Sequence, residues 1–394
     1  AKQITSFVFL LTNNPINVNV VAIIDEENKT ITASMPIDTD ITGLLPEIKT
    51  SALTTITPDT AKDFTNPVEY VVIAEDGSEV IYTVTINVLL SQRQILQAIL
   101  DANPQNSLGW DLENTPNLND LSRVTTNSSG SITDLLLGFG NITIIPSVIG
   151  QLTSIRSLDL SGNGIAELPP EIGFLKQLSV LSLSLNPIRV LPSEIGQLIK
   201  LEEVVCQQTG LNSIPVEIGL LTSLKKLNLS SNNLTSIPVE LAQLGSLEVL
   251  SFNDNKLTSI PVEIGQLNKL SSLKLYGNQL TAIPSEIGAL TNLGELFLSD
   301  NQLTSVPAEI GFLNVLSFLD IQNNNLTTIP QSIYNRISVM DLYLDVVVVP
   351  ETASQKDALI SIYSANPGNT LGWGVDNFPE VGFDANGNPK TITI

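Results

Sequence analysis

The chain has many carboxylates but no histidine with which to do chemistry. Its 394 residues include 40 Asp and Glu, 18 Lys and Arg, one Cys and no His. Without His there is no usual metal ligand, and every Ser-His or Cys-His nucleophile arrangement is excluded. Cys206 has no second thiol to pair with and stands where related segments carry Leu, so we interpret it as a small buried hydrophobe rather than a reactive thiol.

Two groups of carboxylates could in principle act in catalysis or bind a metal. Asp320 and Asp341 have the residue types of a glycosidase acid and nucleophile, but carboxylates on adjacent repeats are common on such surfaces. The segment Asp384-Ala385-Asn386-Gly387-Asn388 lacks the Gly at the sixth position and the distal Glu of a calcium loop, which favours a turn. We therefore predict no catalytic residue, no metal site and no cofactor: the protein is not expected to be an enzyme.

Charge and hydropathy exclude two classes of partner. The net charge of -22 repels phosphate backbones and anionic headgroups, so we expect no nucleic-acid partner. No apolar run approaches the ~20 residues of a membrane span, so we expect no membrane insertion by this chain.

A 23-residue pattern dominates the sequence from residue 132 to residue 338. It reads Leu-x-x-Leu-x-Leu-x-x-Asn-x-Leu-x-x-Ile-Pro-x-Glu-Ile-Gly-x-Leu-x-x, and nine copies follow one another without insertion. The first copy carries Gly140 where Asn is expected, and a tenth strand begins at Val339. Such a period predicts stacked units that bury a common core.

The positions within each repeat indicate its local structure. The leading Leu residues place a short strand with one face inward, and the Asn at the ninth position can satisfy backbone groups where the chain turns. Pro at the fifteenth position and Gly at the nineteenth restrict the return segment to short turns or a single turn of helix. Stacking then produces a parallel β sheet along one side of an arc.

These repeats resemble leucine-rich repeats of the typical 23-residue class, with the Ile-Pro-x-Glu-Ile-Gly signature. The resemblance covers residues 132–350, as nine repeats and a terminal strand, and implies an α/β leucine-rich-repeat solenoid. It also implies recognition of a protein through the concave face of the sheet.

The third, fifth, seventh and eighth residues of each repeat should form that concave face. Tyr276, Phe297 and Phe318 are 21 residues apart, so they are expected to form a diagonal across adjacent strands. The predicted binding residues are Tyr276, Phe297, Phe318, Tyr343, Lys274, Glu295, Asp320 and Asp341. The opposing interpretation is that these aromatic residues only pack on one another as a solvated ladder. A second apolar area is expected in the first four repeats, from Leu136, Phe139, Val180, Leu185 and Val205.

Residues 1–89 predict an all-β, immunoglobulin-like sandwich. Short alternating runs, such as 4–10, 17–24 and 30–35, are separated by Asn, Asp and Pro turns, and Asp76-Gly77 suits a hairpin between runs 68–74 and 79–88. The segments Ile4-Thr5-Ser6-Phe7, Asp40-Ile41-Thr42-Gly43-Leu44 and Asp63-Phe64-Thr65-Asn66-Pro67-Val68 resemble an N-terminal module of surface lipoproteins of gram-negative gut bacteria. That resemblance implies an exported spacer at the outer cell surface or in the extracellular space, and a lipid anchor upstream of Ala1 is compatible with it.

Two similar segments flank the repeats. Residues 90–131 begin with a helix capped by Ser91 and Gln94, followed by Trp110, and resemble the N-terminal cap of plant receptor ectodomains without its cysteines. Residues 351–394 contain a second copy, in which Ala365-Asn366-Pro367 and Leu371-Gly372-Trp373 match Ala102-Asn103-Pro104 and Leu108-Gly109-Trp110. We expect a C-terminal cover, with the start of a second array as the alternative.

The prediction from sequence is thus an exported binding protein that recognises a protein partner. The first alternative is a component that binds or processes glycans, and the second is a structural envelope protein without a ligand. A glycan would favour stacking on the aromatic residues, whereas a basic or amphipathic protein segment would suit their acidic surroundings.

Overall fold

The computed structural model describes residues 2–336 and 339–344. The chain divides into two compact units, residues 1–96 and 97–394. No helix among the described residues combines the length and the apolar character needed to cross a membrane.

The first unit contains eight strands that form two sheets around one core. The strands are β1 (Ile4–Phe9), β2 (Val20–Val21), β3 (Ile23–Asp25), β4 (Thr30–Met35), β5 (Pro46–Thr50), β6 (Thr54–Thr57), β7 (Val68–Ala74) and β8 (Glu79–Val88). One sheet has the order β2-β1-β5 and the other β3-β4-β8-β7-β6. Both sheets contribute side chains to a single core, in which Phe7, Phe64 and Tyr70 are almost fully buried.

Four of the five predicted strand runs agree with the structure, and one shows where the pattern was too coarse. Run 4–10 matches β1 to within one residue, and runs 30–35, 68–74 and 79–88 are β4, β7 and β8. Gly77 lies in the hairpin turn with φ of +76°. The run 17–24 is instead divided between β2 and β3. Strands β4 and β8 pair in parallel, whereas an immunoglobulin-like sandwich has antiparallel sheets.

Helix α1 (Gln92–Ala102) begins with the predicted capping box. The backbone N–H of Gln94 donates to Ser91 Oγ at 3.2 Å, and that of Ser91 donates to Gln94 Oε1 at 2.7 Å. The buried stripe is formed by Ile95, Leu96 and Ile99, and Leu100 is half-buried.

The second unit contains an eleven-stranded sheet, β9 to β19 in chain order. Strand β9 (Val124–Thr126) is antiparallel to β10 (Ile132–Leu136), and all later neighbours are parallel. The remaining strands are β11 (Ser157–Asp159), β12 (Val180–Ser182), β13 (Glu203–Val205), β14 (Lys226–Asn228), β15 (Val249–Ser251), β16 (Ser272–Lys274), β17 (Glu295–Phe297), β18 (Phe318–Asp320) and β19 (Asp341–Tyr343). The leucine-rich-repeat prediction is therefore confirmed in both the parallel sheet and its repeat spacing.

The return segments are short 3₁₀ turns, as the Pro and Gly positions predicted. They span Ser147–Gln151, Pro170–Phe174, Ser193–Gln197, Val216–Leu220, Val239–Gln243, Val262–Gln266, Ser285–Ala289 and Ala308–Phe312, with a further short turn at Leu118–Asp120. The four-residue helix α2 (Gln331–Tyr334) takes the same place in the last full repeat. A Cβ on Gly196 would lie 2.7 Å from the backbone oxygen of Glu217 in the next turn, so glycine permits this close stacking.

The Asn at the ninth position connects each repeat to its neighbours. In the best-formed repeat, Asn278 Nδ2 donates to the backbone oxygens of Phe252 (3.0 Å) and Leu275 (2.9 Å), while its Oδ1 accepts from the N–H of Leu257 at 3.0 Å. Because these backbone groups are buried, the Asn ladder satisfies hydrogen bonds that water cannot reach.

The first repeat lacks this Asn, and the side chain of Asn103, just after helix α1, bonds to other backbone groups of that repeat. Asn103 is 3% exposed. Its Oδ1 accepts from the N–H of Thr143 at 2.7 Å and of Ile144 at 3.0 Å, and its Nδ2 donates to the Ile144 oxygen at 2.8 Å. Trp110 Nε1 donates to the Ser122 oxygen at 2.8 Å. The segment before the repeats is thus joined to the first of them by polar contacts as well as by packing.

The predicted C-terminal cover at residues 351–394, which includes the segment 384–388, lies outside the described residues. The domain boundaries drawn from the sequence at residues 89, 131 and 350 remain predictions.

Candidate functional site

Each repeat strand turns one residue inward and two outward. In strands β17 and β18 the central residues Leu296 and Leu319 are fully buried, while the residues on either side reach solvent to different degrees. Successive side chains of a strand point to opposite faces, which explains this alternation. We call the outward side, formed by the third, fifth, seventh and eighth residues of the repeats, the repeat face.

Three aromatic rings at the C-terminal end of the repeat face lie against one another. The ring centroids of Phe297 and Phe318 are 4.7 Å apart, and those of Phe318 and Tyr343 are 5.1 Å apart. Phe297 and Phe318 are half-buried, and Tyr343 is 38% exposed. This set, the aromatic row, zigzags over the strands β17, β18 and β19.

The ring of Tyr276 does not contact the ring of Phe297, so the ring contacts do not extend along the predicted diagonal. On the β16 side of Phe297 lies Lys274, whose Nζ is 5.4 Å from the ring centroid. Lys274 and Phe297 face each other in the register of β16 and β17, which explains the contact. Tyr276 is half-buried, and burial followed by the negative charge of Asp254 raises the pKa of its hydroxyl.

Carboxylates alternate with the aromatic row. In the register of the strands, Phe318 stands between Glu295 on β17 and Asp341 on β19, and Asp320 stands between Phe297 and Tyr343. We call Glu295, Asp320 and Asp341 the carboxylate set. Glu295 accepts a hydrogen bond from Ser272 Oγ at 2.9 Å, and Asp320 accepts one from the N–H of Gln322 at 3.2 Å. None of the three forms a salt bridge with another described residue.

The middle of the repeat face has a different character. Glu203 and Lys226, which are opposite each other on β13 and β14, form an ion pair at 3.5 Å. Repeats five and six also present small polar residues, such as Asn228 and Ser251, on this face. The charge of Glu203 is thus matched within the protein, whereas the carboxylate set has no salt-bridge partner in the part of the chain that the structure describes.

A second exposed apolar area lies in the first repeats, as the sequence predicted. Leu136, Phe139 and Leu185 are 43%, 66% and 46% exposed, and Val180 and Val205 are half-buried. A Cβ built on Gly162 would collide with the Phe139 ring, which therefore lies over that glycine.

The sequence analysis missed a backbone feature shared by the repeats. The eighth residue adopts a positive φ in each of nine repeats, including Phe139 (+54°) and Leu185 (+58°), whose side chains disfavour it. Gly, Asp and Asn, which tolerate a positive φ, occupy this position in other repeats and could have indicated it. The two large residues at this position both lie in the second apolar area.

The interior offers no reactive group to the site. Cys206 is fully buried, and burial raises the pKa of its thiol from 9.0 to about 12. Within the described ranges there is no cluster of His, Cys, Asp or Glu residues that could hold a metal ion. What the repeat face provides is rings, carboxylates and hydroxyls for contact.

Comparison with protein families supports both halves of this description. Residues 4–86 match the family described as SGBP, N-terminal. Residues 143–253 and 216–301 match the leucine-rich repeat region, and residues 315–335 match the Leucine Rich Repeat family. No curated protein sequence matches the chain.

Several solved structures share the repeats. An LRR protein of Leptospira interrogans is 35% identical, and the match covers 59% of this chain and 65% of that one, with a TM-score of 0.49. The LRR ectodomain of the Arabidopsis thaliana receptor kinase GASSHO1/SCHENGEN3, in complex with CASPARIAN STRIP INTEGRITY FACTOR 2, is 29% identical, with coverage of 64% and 35% and a TM-score of 0.54. The plant peptide hormone receptor RGFR1 in complex with RGF2 is 30% identical, with coverage of 57% and 40% and a TM-score of 0.51.

This chain spans less than two thirds of the length of each of these three proteins. The matches cover the N-terminal β-rich unit and the repeats separately, in the order in which the structure has them. The chain is a leucine-rich-repeat protein that carries an N-terminal region of the SGBP family.

Proposed function

We propose that this protein is a non-enzymatic binding protein of the cell surface, which recognises a protein partner through the repeat face of repeats seven to ten. The observation that carries the proposal is the aromatic row beside three carboxylates that have no salt-bridge partner among the described residues. Exposed aromatic residues in such a setting are typical of the energetic centre of protein interfaces.

The comparisons supply two further supports. The two plant structures with TM-scores above 0.5 are both complexes with a bound factor, one of them a peptide hormone receptor. SGBP denotes surface glycan-binding proteins of gut bacteria, which supports the outer surface of a gram-negative bacterium as the location. The N-terminal unit would then act as a spacer that presents the repeats.

A second candidate function is glycan binding on the same rings. It is favoured by the SGBP match together with the exposed ring of Tyr343, since sugars stack on aromatic faces. The carboxylate set argues against acidic glycans, because like charges would repel them.

Parallel selection against a peptide-display library and a glycan array would test the proposal. We expect the intact chain to enrich peptides, and we expect Phe297→Ala and Phe318→Ala to abolish their binding. Ser157→Ala is the matched control, because Ser157 occupies in repeat two the position that Phe318 occupies in repeat nine.

Two outcomes would contradict the proposal. If only oligosaccharides bind and Phe297→Ala abolishes that binding, the glycan function replaces it. If every ligand that binds is unaffected by Tyr276→Ala combined with Phe318→Ala, the repeat face of repeats seven to ten is not the binding surface.

A further inference from the structure

We propose that the exposed ring of Phe139 is a platform on which one sugar unit of a neutral glycan binds. This site lies in the first two repeats, at the opposite end of the sheet from the aromatic row, and it does not depend on the proposed protein-binding function. Phe139 is 66% exposed and occupies the eighth position of repeat one. Its ring lies flat on the backbone of repeat two.

One face of the Phe139 ring is covered by a glycine, and the other face is open. The position that a Cβ would take on Gly162 is equally close to the ring carbons Cδ1 and Cε1 and only slightly farther, 2.8 Å, from Cζ. A point beside that edge in the plane of the ring would be much farther from Cζ, so Gly162 lies against the ring face. No cation and no second ring of the described residues lies over Phe139. The outward face is therefore available to a ligand.

Polar groups that could bond a ligand border the same ring. The Cβ position on Gly138, the residue before Phe139, is 2.8 Å from Asp159 Oδ2 and 3.0 Å from Ser161 Oγ. Within the part of the chain that the structure describes, the recorded bond of the Asp159 carboxylate is made by Oδ1, which accepts from the N–H of Ser161 at 2.9 Å. Arg123 Nη1 donates to the Gly138 oxygen at 2.5 Å, which leaves the other N–H groups of this guanidinium for a ligand.

The surroundings of the Phe139 ring are electrically neutral, unlike the chain as a whole. Residues 121–162 contain two basic and two acidic side chains, namely Arg123, Arg156, Asp134 and Asp159, so their formal net charge is zero. The whole chain carries a net charge of -22. Since a charged ligand meets no net opposite charge here, an uncharged ligand with hydroxyl groups is favoured.

A sugar ring makes use of both parts of this site. Its C–H groups cover the open face of Phe139, and its hydroxyl groups, which both donate and accept, bond to the carboxylate, the hydroxyl and the guanidinium beside the ring. An apolar side chain of a protein partner would cover the ring but leave those polar groups without partners, which weakens binding. The combination favours a neutral glycan over an apolar protein segment.

The backbone at Phe139 indicates that the ring is kept there despite its conformational cost. Its φ of +54° is disfavoured for a large side chain, whereas Asp300 and Asn323 occupy the same position of later repeats. Residues held in such conformations cluster at sites that bind ligands. An Asn in place of Phe139 should hold this turn at least as well without providing a ring, so binding can be separated from folding.

Affinity electrophoresis of the full chain tests the proposal. The native gels contain amylopectin, xyloglucan, galactomannan or arabinoxylan as neutral polysaccharides, or polygalacturonate as an acidic one. We expect at least one neutral polysaccharide to retard the chain, and polygalacturonate to leave its migration unchanged. Phe139→Asn should weaken the interaction about tenfold or more, while the temperature of thermal unfolding stays the same or rises.

Three further variants locate the site. Gly162→Asn places a Cβ where the Phe139 ring lies, so it should abolish retardation although the ring is retained, and Asn tolerates the φ of +63° at this position. Asp159→Asn should weaken binding several-fold, because an amide oxygen accepts a hydrogen bond less strongly than a carboxylate. Phe312→Asn is the matched control, since Phe312 is also 66% exposed but lies on a return turn. We expect Phe312→Asn to migrate like the unchanged protein.

Three results would overturn the inference. Retardation by no neutral polysaccharide would exclude the ligand class that the site requires. Equal losses from Phe139→Asn and Phe312→Asn would mean that exposed apolar residues bind these polymers in general. Retardation that is lost in Phe318→Ala but kept in Phe139→Asn would place the glycan on the aromatic row, as the second candidate function has it. Protein binding by repeats seven to ten is tested separately by the peptide selection and can hold or fail independently.

Discussion

The interior of the repeats and the repeat face are built on the same strands but follow opposite rules. The fourth residue of the repeat is Leu or Val in every strand from β10 to β19, and each of these side chains is at most 2% exposed. The third residue, one position earlier, is successively Asp134, Ser157, Val180, Glu203, Lys226, Val249, Ser272, Glu295, Phe318 and Asp341. The constant interior residues thus keep the backbone of each repeat the same, and the residues of the repeat face can differ between repeats without altering that backbone.

The largest expected effect comes from opening the interior below the aromatic row. Leu296→Ala should lower the free energy of unfolding by about 2–5 kcal/mol, because it removes a fully buried side chain and leaves a cavity. Urea denaturation followed by circular dichroism measures it. Phe297→Ala changes the next residue, which is on the face, and should cost no more than about 1.5 kcal/mol. Equal costs for the two would mean that face and interior are not energetically distinct.

Loss of an Asn from the Asn ladder should lower the free energy of unfolding by a somewhat smaller amount. Asn278→Ala removes the amide that serves Phe252, Leu275 and Leu257, and leaves buried backbone groups unpaired. We expect a loss of about 2–3 kcal/mol in the free energy of unfolding. Asn325→Ala is the control, since Asn325 is exposed and its side chain makes no recorded bond. A similar loss in both variants would contradict the role given to the ladder.

Close stacking of the return turns should give a smaller effect. Gly196→Ala places a methyl group 2.7 Å from both the backbone oxygen and the Cβ of Glu217, and should destabilise the fold by about 1–3 kcal/mol. Gly245 has no atom within 4 Å of an added Cβ, so Gly245→Ala should be nearly neutral. Thermal unfolding of the two variants compares them directly. If Gly196→Ala unfolds at the same temperature as the unchanged protein, neighbouring return turns can move apart without loss of stability.

The smallest change in the free energy of unfolding is expected for a buried polar group of the first unit, which can be compared with the buried amides of the repeats. The Tyr70 hydroxyl in the first unit has no hydrogen-bond partner among the described residues, and burial raises its pKa to about 12. Tyr70→Phe should leave the free energy of unfolding unchanged or slightly higher, because no bond is lost and a polar group leaves the core. A loss above about 1 kcal/mol in urea denaturation would point to a partner such as an ordered water.

The sequence could predict the features that follow from period and residue type. Leu, Asn, Pro and Gly at fixed positions led to the sheet, the ladder and the short turns, and the Ser91 capping box was readable from spacing alone. The contacts of the aromatic row were only partly predictable. Spacing placed Tyr276, Phe297 and Phe318 on one diagonal, but it could not show that Lys274 would lie against Phe297 while Phe318 turned toward Tyr343.

Other features depended on tertiary contacts that no local pattern records. The contacts of Asn103 with the first repeat could not be seen, since it bonds to backbone groups about 40 residues away along the chain. The parallel pairing of β4 with β8 brings together segments far apart in sequence. Strands β5 and β6 are short and only partly buried, so their alternation gave little signal.

The uniform register of the repeat strands also has a consequence for inheritance. Because every repeat strand from β10 to β19 pairs with the next at the same residue positions, a segment of 23 codons is a complete unit of structure. Unequal recombination between two repeats would add or remove one repeat and leave the strands of the neighbouring repeats correctly paired. Deletions within the middle repeats would shorten the distance between the second apolar area and the aromatic row in steps of one repeat. A lineage could therefore adjust the span between these two surfaces without changing the residues of either.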